Sequence, residues 1–266
     1  MTIVLHTPLF VPADRPERFQ KAASSGADAV ILDLEDAVTP ANKAKARSAV
    51  TAHGIASVPV VIRINPLESA LVADDISTLA RASFDGIMVA KASDPVALAA
   101  LGARFPGKAL IALIESVAGH AAARAIAAVP AVAQLAFGSI DYALDLGCEE
   151  TFDALLAARS EVVLASRLAD RAAPLDGVTI GYDDAALLTE EARRARTLGF
   201  GGKLLIHPKQ IAPVRAGLRP SEAEIALARR IVEAAARQGE GAISLDGRMI
   251  DVPVLTKARR IVSQAG

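Results

Sequence analysis

The stretch that decides the fold runs over residues 110–145 and reads LIALIESVAGHAAARAIAAVPAVAQLAFGSIDYALD. Two continuous apolar runs, residues 109–114 and 132–137, have the length of buried strands, and residues 120–129 between them have a helical pattern. A strand, a helix and a second strand in this order form a parallel βαβ unit with a right-handed crossover. We therefore expect a parallel sheet covered by helices.

An acidic residue follows each of these two strands. Glu115 comes directly after the first strand, and Asp141 lies just beyond the second. Parallel strands end at the same edge of a sheet, so the two carboxylates converge, and Mg²⁺ takes one or two protein oxygens of this kind. Carboxylates are also common as helix caps and in surface ion pairs, because first helical turns favour them. The pattern alone leaves both interpretations open.

The same alternation of strands and helices extends over most of the chain. Further strands are predicted at residues 3–11, 28–34, 58–64, 86–90, 177–181 and 203–207, and further helices at residues 15–25, 40–53, 73–83, 94–105, 151–173, 184–198 and 210–217. Eight strand-and-helix units predict a (β/α)8 TIM barrel over residues 1–217. The alternative is an open doubly wound sheet, but the glycine-rich nucleotide fingerprint of that fold does not follow the first strand.

Residues 218–266 form a C-terminal extension. A helix is predicted at residues 221–238, then a short segment that turns at Asp246–Gly247, and then a helix that reaches residue 262. About fifty residues are too few to bury a full core of their own. We expect this helical extension to pack on the barrel or on a neighbouring subunit, as a lid or a subunit-contact arm.

Composition excludes several classes of protein. The chain has 266 residues, 52% of them hydrophobic, a net charge of −1 and a pI near 6.4. A nearly neutral chain without a basic stripe is unlike a nucleic-acid-binding protein, and no apolar run is long enough to span a membrane. The sequence opens without a signal-peptide pattern, and its single cysteine, Cys148, excludes an internal disulfide and a cysteine-based zinc site. We expect a cytoplasmic protein.

The barrel prediction gathers polar residues at one end, because the strand ends and the loops after them form the active-site mouth of such a barrel. These residues are Glu35, Asp36, Arg63, Asn65, Lys91, Glu115, Asp141, Asp183 and His207. Arg63 suits a bidentate contact with a substrate carboxylate, whereas His207 is expected only to shape the eighth-strand loop. A metal and a nearby cation together stabilise a developing enolate or alkoxide. The residues predict a metal-assisted reaction on a small carboxylate-bearing substrate.

Seven motifs, in order along nearly the whole chain, carry a resemblance to a known family. They are LFVPADRPERFQKA (9–22), DAVILDLEDAV (28–38), VIRIN (61–65), ALIESVAG (112–119), FGSIDYALDLG (137–147), IHPKQI (206–211) and GRMIDVPVLTKARRIV (247–262). With them the chain resembles the citrate lyase beta subunit-like proteins, which belong with the malyl-CoA lyases and the HpcH/HpaI aldolases. The resemblance implies a metal-dependent (β/α)8 barrel that makes and breaks carbon–carbon bonds.

The resemblance also implies roles for individual residues. Glu115 and Asp141 would hold Mg²⁺, Arg63 would bind the carboxylate and carbonyl end of a 2-keto acid, and Glu115 would also contact substrate. The remaining matches are Phe10, Arg15 and Lys21 at the CoA and substrate site, Glu35 and Asp36 as indirect or water-mediated partners of the metal, and Asp251 on a segment that closes over the neighbouring subunit's site. From the residues alone, Arg15 and Lys21 could equally be solvated helix charges, and Asp251 could be a helix N-cap.

The implied reaction is a retro-Claisen cleavage. A 3-hydroxyacyl thioester such as malyl-, citramalyl- or citryl-CoA would give acetyl-CoA and a 2-keto acid, or form from them, with Asp251 transferring the proton. The implied assembly is a homotrimer. The alternatives are a 2-keto acid aldolase that uses no thioester and a non-catalytic protein that has kept the barrel. The fourth-strand motif VAKASD departs from relatives that carry a proline before the lysine, which leaves the role of Lys91 open.

Overall fold

Eight parallel strands lie side by side in chain order in the computed structural model, which describes residues 3–238 and 241–265. The strands are β1 Leu9–Pro12, β2 Val30–Asp33, β3 Val60–Ile64, β4 Gly86–Val89, β5 Ala109–Ile114, β6 Val132–Phe137, β7 Ala172–Asp176 and β8 Gly202–Lys203. Met1 and Thr2, part of the opening stretch interpreted above, lie outside the described residues, as do residues 239, 240 and 266. The sequential order is that of a barrel, and an open doubly wound sheet would reverse its order part-way.

Helices connect consecutive strands and cover the outside of the sheet. They are α1 Phe19–Ala23, α2 Lys43–Thr51, α3 Val72–Leu79, α4 Pro95–Arg104, α5 Val117–Ala121, α6 Ala123–Ala128, α7 Ser139–Leu146, α8 Leu156–Leu168, α9 Ala185–Leu198 and α10 Ile211–Leu218. Short 3₁₀ turns lie at Pro16–Arg18, Pro40–Asn42 and Pro208–Gln210. The predicted (β/α)8 architecture is confirmed, and the central βαβ unit has the predicted strand bounds, residues 109–114 and 132–137.

The last strand returns to the first and closes the sheet. Leu9 bridges Leu205 in parallel orientation, and the Phe10 N–H donates to the Leu205 carbonyl at 2.8 Å. Two residues before Leu205, the Lys203 N–H donates to the His6 carbonyl at 2.8 Å. Gly202 makes this approach possible, because a Cβ at that position would lie 2.2 Å from the His6 carbonyl oxygen. A residue without a side chain is therefore required where the barrel closes.

Two layers of apolar side chains lie on the two faces of the strands. Alternate residues such as Ile31, Val61, Met88 and Ile111 point into the barrel and form one buried cluster. Their strand neighbours pack outward against the helices in a second, larger cluster. This double burial explains why the strands are continuous apolar runs in the sequence.

The seventh strand lies before its predicted position. It spans Ala172–Asp176, whereas residues 177–181 belong to the loop beyond it. Helix α8 ends at Leu168, and the left-handed backbone of Asp170, with φ of 53°, reverses the chain into the strand. Pro174 within the strand has no N–H, and the register with β6 shifts between Gln134 and Ala136. The prediction was wrong because a proline was interpreted as a break before the strand.

The C-terminal extension contains a hairpin between two helices. Its elements are α11 Glu222–Gln238, β9 Ile243–Leu245, β10 Arg248–Ile250 and α12 Val252–Ala265. Ser221 and Glu224 form a reciprocal capping box, in which each backbone N–H donates to the other residue's side chain, at 2.8 and 3.2 Å. A small cluster that includes Ile231, Ile250 and Leu255 holds the unit together. We refer to residues 222–265 as the arm; the division from the barrel at residue 217 stays a prediction.

Within residues 3–238 and 241–265, no helix combines the length and the apolar character that crossing a bilayer would require.

Replacing Gly202 by Ala should destabilise the barrel by about 1 to 3 kcal/mol, because the new methyl group would push the His6 carbonyl out of the closing seam. Gly181→Ala is the matched control, since no atom lies within 4 Å of a Cβ built there. Chemical unfolding of the two variants checks this. Equal unfolding midpoints would contradict the proposed role of Gly202 in closure.

Candidate active site

The carboxyl ends of five neighbouring strands bring charged side chains together. Asp33 is the last residue of β2, Arg63 lies in β3, Lys91 follows β4, Glu115 follows β5, and Asp141 lies in the first turn of α7, after β6. The sequence analysis placed four of the five, all except Asp33, at this mouth as candidates.

Arg63 is held by a fork of two hydrogen bonds. Its Nε donates to Asp33 Oδ1 at 2.7 Å and its Nη2 to Asp33 Oδ2 at 2.6 Å, while Nη1 lies 3.3 Å from Glu35 Oε2. The Phe10 ring lies beneath the guanidinium, 4.7 Å from its Cζ to the ring centroid. The bidentate edge of Arg63 is therefore occupied by Asp33. A substrate carboxylate would have to approach the other edge of the guanidinium, formed by Nη1 and the second N–H of Nη2, and the bidentate contact stays a prediction.

Lys91 lies at the centre of the mouth. Its Nζ donates to Glu35 Oε1 at 2.6 Å and to Asp36 Oδ2 at 3.1 Å, and lies 4.0 Å from Asp141 Oδ1. Its backbone N–H donates to Glu115 Oε1 at 2.9 Å. Burial alone would lower the pKa of Lys91, but the hydrogen bond to Glu35 and the charge of Glu115 raise it above its ordinary value. Lys91 thus stays charged and links four carboxylates.

The backbone of Lys91 is strained. Its φ of 47° lies in the left-handed region, which residues with a Cβ rarely adopt. Such a conformation costs of order 1–3 kcal/mol and persists only where neighbouring contacts hold it. Here those contacts are the hydrogen bonds from the Lys91 N–H to Glu115 and from its Nζ to Glu35.

Glu115 is a buried acid with a strongly raised pKa. Only 3% of it is exposed, and burial raises the pKa of its carboxyl to about 8, helped by the negative charges of Asp141 and Glu35. Gly138 packs directly against it, since a Cβ there would lie 2.5 Å from Glu115 Oε2. Glu115 is thus mostly protonated at neutral pH in the protein without a bound cation.

The mouth can offer two carboxylates to a metal ion. Among the described residues, no three His, Cys, Asp or Glu side chains come together as a ready-made metal site. Glu115 and Asp141 both lie next to Lys91, however, and oxygen donors in this small number suit Mg²⁺, which keeps its remaining positions for water and substrate. A divalent cation bound here would replace the proton on the buried Glu115 carboxyl.

Glu35 and Asp36 were predicted as indirect partners of the metal. The structure instead places both on the Lys91 ammonium group. Glu35 is buried and burial raises the pKa of its carboxyl, whereas the side chain of Asp36 is 61% exposed. Contact with a metal through water stays a prediction for both residues.

Sequence reasoning missed Lys43, the residue that holds this loop in place. Its buried Nζ donates to the carbonyls of Leu34 and Glu35 at 2.6 and 2.8 Å, and to Asn65 Oδ1 at 3.1 Å. Asn65 in turn donates to the buried Asp75 at 2.6 Å. The only signal was a lysine at the start of an amphipathic helix, where lysines are usually exposed.

Arg15 and Lys21 lie on the surface after β1. Both are exposed, Arg15 on the segment that leaves the strand and Lys21 in α1. The nearest carboxylate of Arg15 is Asp14, at 3.9 Å. Their predicted contacts with CoA stay predictions.

Asp251 caps the last helix. Its Oδ1 accepts from the Val254 N–H at 3.2 Å and its carbonyl from the Leu255 N–H at 2.9 Å. The N-cap role open to it from the sequence is thus observed, and a role in a neighbouring subunit's site stays a prediction. His207 stacks on Tyr182 with ring centroids 4.3 Å apart and accepts from the Lys209 N–H, so it shapes the eighth-strand loop as expected.

Residues 6–208 match the HpcH/HpaI aldolase/citrate lyase family. The chain belongs to this family. It is 38% identical to a citrate lyase subunit beta-like protein of Deinococcus radiodurans, over 98% of this chain and 97% of that protein. It is 33% identical to a (3S)-malyl-CoA thioesterase of Cereibacter sphaeroides, over 97% of this chain and 93% of that protein.

Solved structures of the family have the same architecture. The protein CitE from Mycobacterium tuberculosis, in complex with magnesium, acetoacetate and coenzyme A, superposes with a TM-score of 0.91 at 37% identity, and the match covers 100% of both chains. The family resemblance carried by the seven motifs and the expectation of a lyase-type barrel enzyme are therefore confirmed.

The raised pKa of Glu115 predicts a specific pH dependence of stability. Because its folded pKa of about 8 lies above the ordinary value of 4.5, the folded state keeps a proton that the unfolded state loses, and stability from this group is lost as pH rises from about 4.5 to about 8. With metal removed by a chelator, the free energy of unfolding should fall less from pH 6 to pH 9 in Glu115→Gln than in the wild type.

The exposed Glu17 provides the control, since Glu17→Gln should follow the wild-type pH profile. Parallel profiles for Glu115→Gln and the wild type would show that Glu115 is already ionised.

Proposed function

We propose that the protein is a Mg²⁺-dependent carbon–carbon lyase. It cleaves or forms a 3-hydroxyacyl thioester such as malyl-, citramalyl- or citryl-CoA, with acetyl-CoA and a small 2-keto acid as the other partners. The observation that carries this proposal is the buried Glu115 carboxyl beside Asp141 at the barrel mouth, with a pKa raised to about 8. A relative with this architecture binds magnesium, acetoacetate and coenzyme A, which supports the same ligand classes here.

Glu115 and Asp141 are the residues that would hold the metal. When bound, Mg²⁺ supplies Lewis-acid polarisation of the oxygens of the keto acid. The protein contributes the orientation of both carboxylates. The Lys91 N–H holds Glu115 at 2.9 Å, and the missing side chain at Gly138 leaves space for it.

Arg63 orients the substrate at the opposite side of the mouth. Asp33 holds the guanidinium through Nε and Nη2, so its other edge, formed by Nη1 and Nη2, is already oriented for the keto-acid carboxylate. The charge of Arg63 also stabilises negative charge that develops on the keto-acid oxygens during cleavage. Phe10 supports the guanidinium from below.

The thioester enters from the side of β1. The exposed cations Arg15 and Lys21 follow that strand and suit the phosphate groups of CoA. Cleavage breaks the C2–C3 bond as the 3-hydroxyl loses its proton to solvent and becomes the carbonyl of the keto acid. The electron pair of the broken bond passes to the acetyl-thioester enolate, and a proton then completes its methyl group. We assign that proton transfer to Asp251, which the arm of a neighbouring subunit brings to the site in a homotrimer.

We also propose that the protein is located in the cytoplasm.

Asp141→Ala should lower keto-acid release from malyl-CoA by about 10²–10³-fold and leave the fold intact, because the site loses one of its two metal carboxylates. Asp153→Ala is a suitable control, since the Asp153 side chain is 90% exposed and, among the residues that the structure describes, forms an ion pair only with Arg194. The assay follows glyoxylate and acetyl-CoA as well as free CoA, because a relative is a thioesterase and would release malate and CoA. Full activity of Asp141→Ala would refute the metal assignment.

Calorimetric titration of CoA and acetyl-CoA, with Mg²⁺ and glyoxylate or pyruvate present, tests the thioester. We expect micromolar binding that needs the metal and weakens about tenfold or more in Arg15→Ala and in Lys21→Ala, a loss of about 1.4 kcal/mol. Arg18→Ala is the control, because Arg18 lies between the two residues and is equally exposed. Keto-acid binding without any thioester binding would identify a 2-keto acid aldolase instead.

A further inference from the structure

A cavity lies at the opposite end of the barrel from the candidate active site. It has a volume of about 850 Å³, within the range of small-molecule sites. Its walls are the segments that lead into β1, β2 and β8, the carboxyl ends of α9 and α10, and the outer face of α12. The cavity is thus the seam between the amino-terminal face of the barrel and the arm.

The lining of this seam is rich in positive charge. Its cations are Arg196, Arg215, Arg219, Lys257 and Arg260, and its carboxylates are Asp28 and Glu224. Both carboxylates are already engaged. Asp28 accepts from the backbone N–H groups of His6 and Thr7 at 2.6 and 3.0 Å, and Glu224 accepts from Arg196 at 2.9 Å and from Ser221.

Four cations are therefore left without a neutralising partner. Within the described part of the chain, no carboxylate oxygen lies within 4.0 Å of a side-chain nitrogen of Arg215, Arg219, Lys257 or Arg260. Arg215 uses only its Nε, which donates to Thr7 Oγ1 at 3.2 Å. The remaining guanidinium and ammonium N–H groups are available to a ligand.

Helix dipoles account for only part of this arrangement. Arg215 and Arg219 lie at the carboxyl end of α10, where cations are favoured. Lys257 and Arg260 lie three residues apart in α12, on one face, and line the same cavity from the other side. Like charges that converge from two elements across a concave seam repel each other unless an anion lies between them.

We propose that this seam binds a small polyanion with two or more phosphoryl groups, which fastens α12 to the amino-terminal face of the barrel. Arginine is the residue best suited to bind phosphate oxygens in pairs, and three of the four unpaired cations are arginines. Helix α12 begins directly after Asp251, so a ligand in the seam also fixes the segment that carries this carboxylate. The site is separate from the mouth, and the proposal does not depend on the lyase reaction.

Calorimetric titration of inorganic pyrophosphate into the full chain, without Mg²⁺ and at constant ionic strength, tests the proposal. We expect saturable binding that weakens at least tenfold in Arg219→Ala, on the barrel side, and in Arg260→Ala, on the arm. Arg248→Ala is the matched control, because Arg248 is an exposed cation of the arm outside the cavity, and its affinity should stay within twofold of the wild type. Pyrophosphate should also slow hydrogen exchange over residues 252–265.

Further measurements separate this site from the mouth and from a subunit contact. Binding should persist in Asp141→Ala and in Arg15→Ala, whereas loss in either variant would place the ligand at the mouth and overturn the proposal. Chloride at equal ionic strength should not displace pyrophosphate, since displacement would indicate general charge screening. If Arg219→Ala and Arg260→Ala change the sedimentation coefficient and pyrophosphate does not bind, the seam is a contact between copies of the chain.

Discussion

The candidate site depends on the contacts that Lys91 makes with the carboxylates around it. One residue holds Glu115 through its backbone and Glu35, Asp36 and Asp141 through its side chain, so the ends of β2, β4, β5 and the start of α7 are fixed relative to each other. Its left-handed backbone is the cost of this arrangement. The parallel strands of the barrel end at the same level, which brings the carboxylates near each other. The contacts of Lys91 then fix the distances between them.

The charges of the mouth do not balance in the protein alone. Five carboxylates, on Asp33, Glu35, Asp36, Glu115 and Asp141, share three cations, Arg63 and Lys91 in the mouth and the buried Lys43 behind it. A proton on Glu115 would relieve the imbalance, because burial raises the pKa of this carboxyl to about 8. Asp33 and Glu35 are equally buried, but each has a cation at hydrogen-bond distance. The electrostatics thus single out one carboxyl as the place where a divalent cation would replace a proton.

Much of the fold was predictable because strands buried on both faces are continuous apolar runs. The bounds of β5 and β6 followed directly, and polar residues at strand ends identified most of the mouth. The bounds of β1 and β8 were predicted less well, at residues 3–11 and 203–207 against the observed Leu9–Pro12 and Gly202–Lys203. The strand β7 was misplaced because it carries a proline inside the strand, which a local pattern interprets as a boundary.

The side-chain pairing of the site was less predictable, because it depends on register between strands that are distant in sequence. Asp33 is the direct cross-strand partner of Arg63 in the β2–β3 pairing, and this neighbour takes one edge of the guanidinium, a pairing that the sequence did not predict. Lys43 reaches the carbonyl of Glu35 from the side of a helix, a contact that no spacing within one element encodes. The packing of Gly138 on Glu115 likewise joins two successive loops.

Because Gly138 approaches Glu115 so closely, this position does not tolerate a side chain without displacing the Glu115 carboxylate. Any side chain there, even a single methyl group, would compete with the Glu115 carboxylate for the same volume while leaving the barrel core untouched. A natural variant with alanine or serine at this position would keep the family architecture and lose the geometry of its acid.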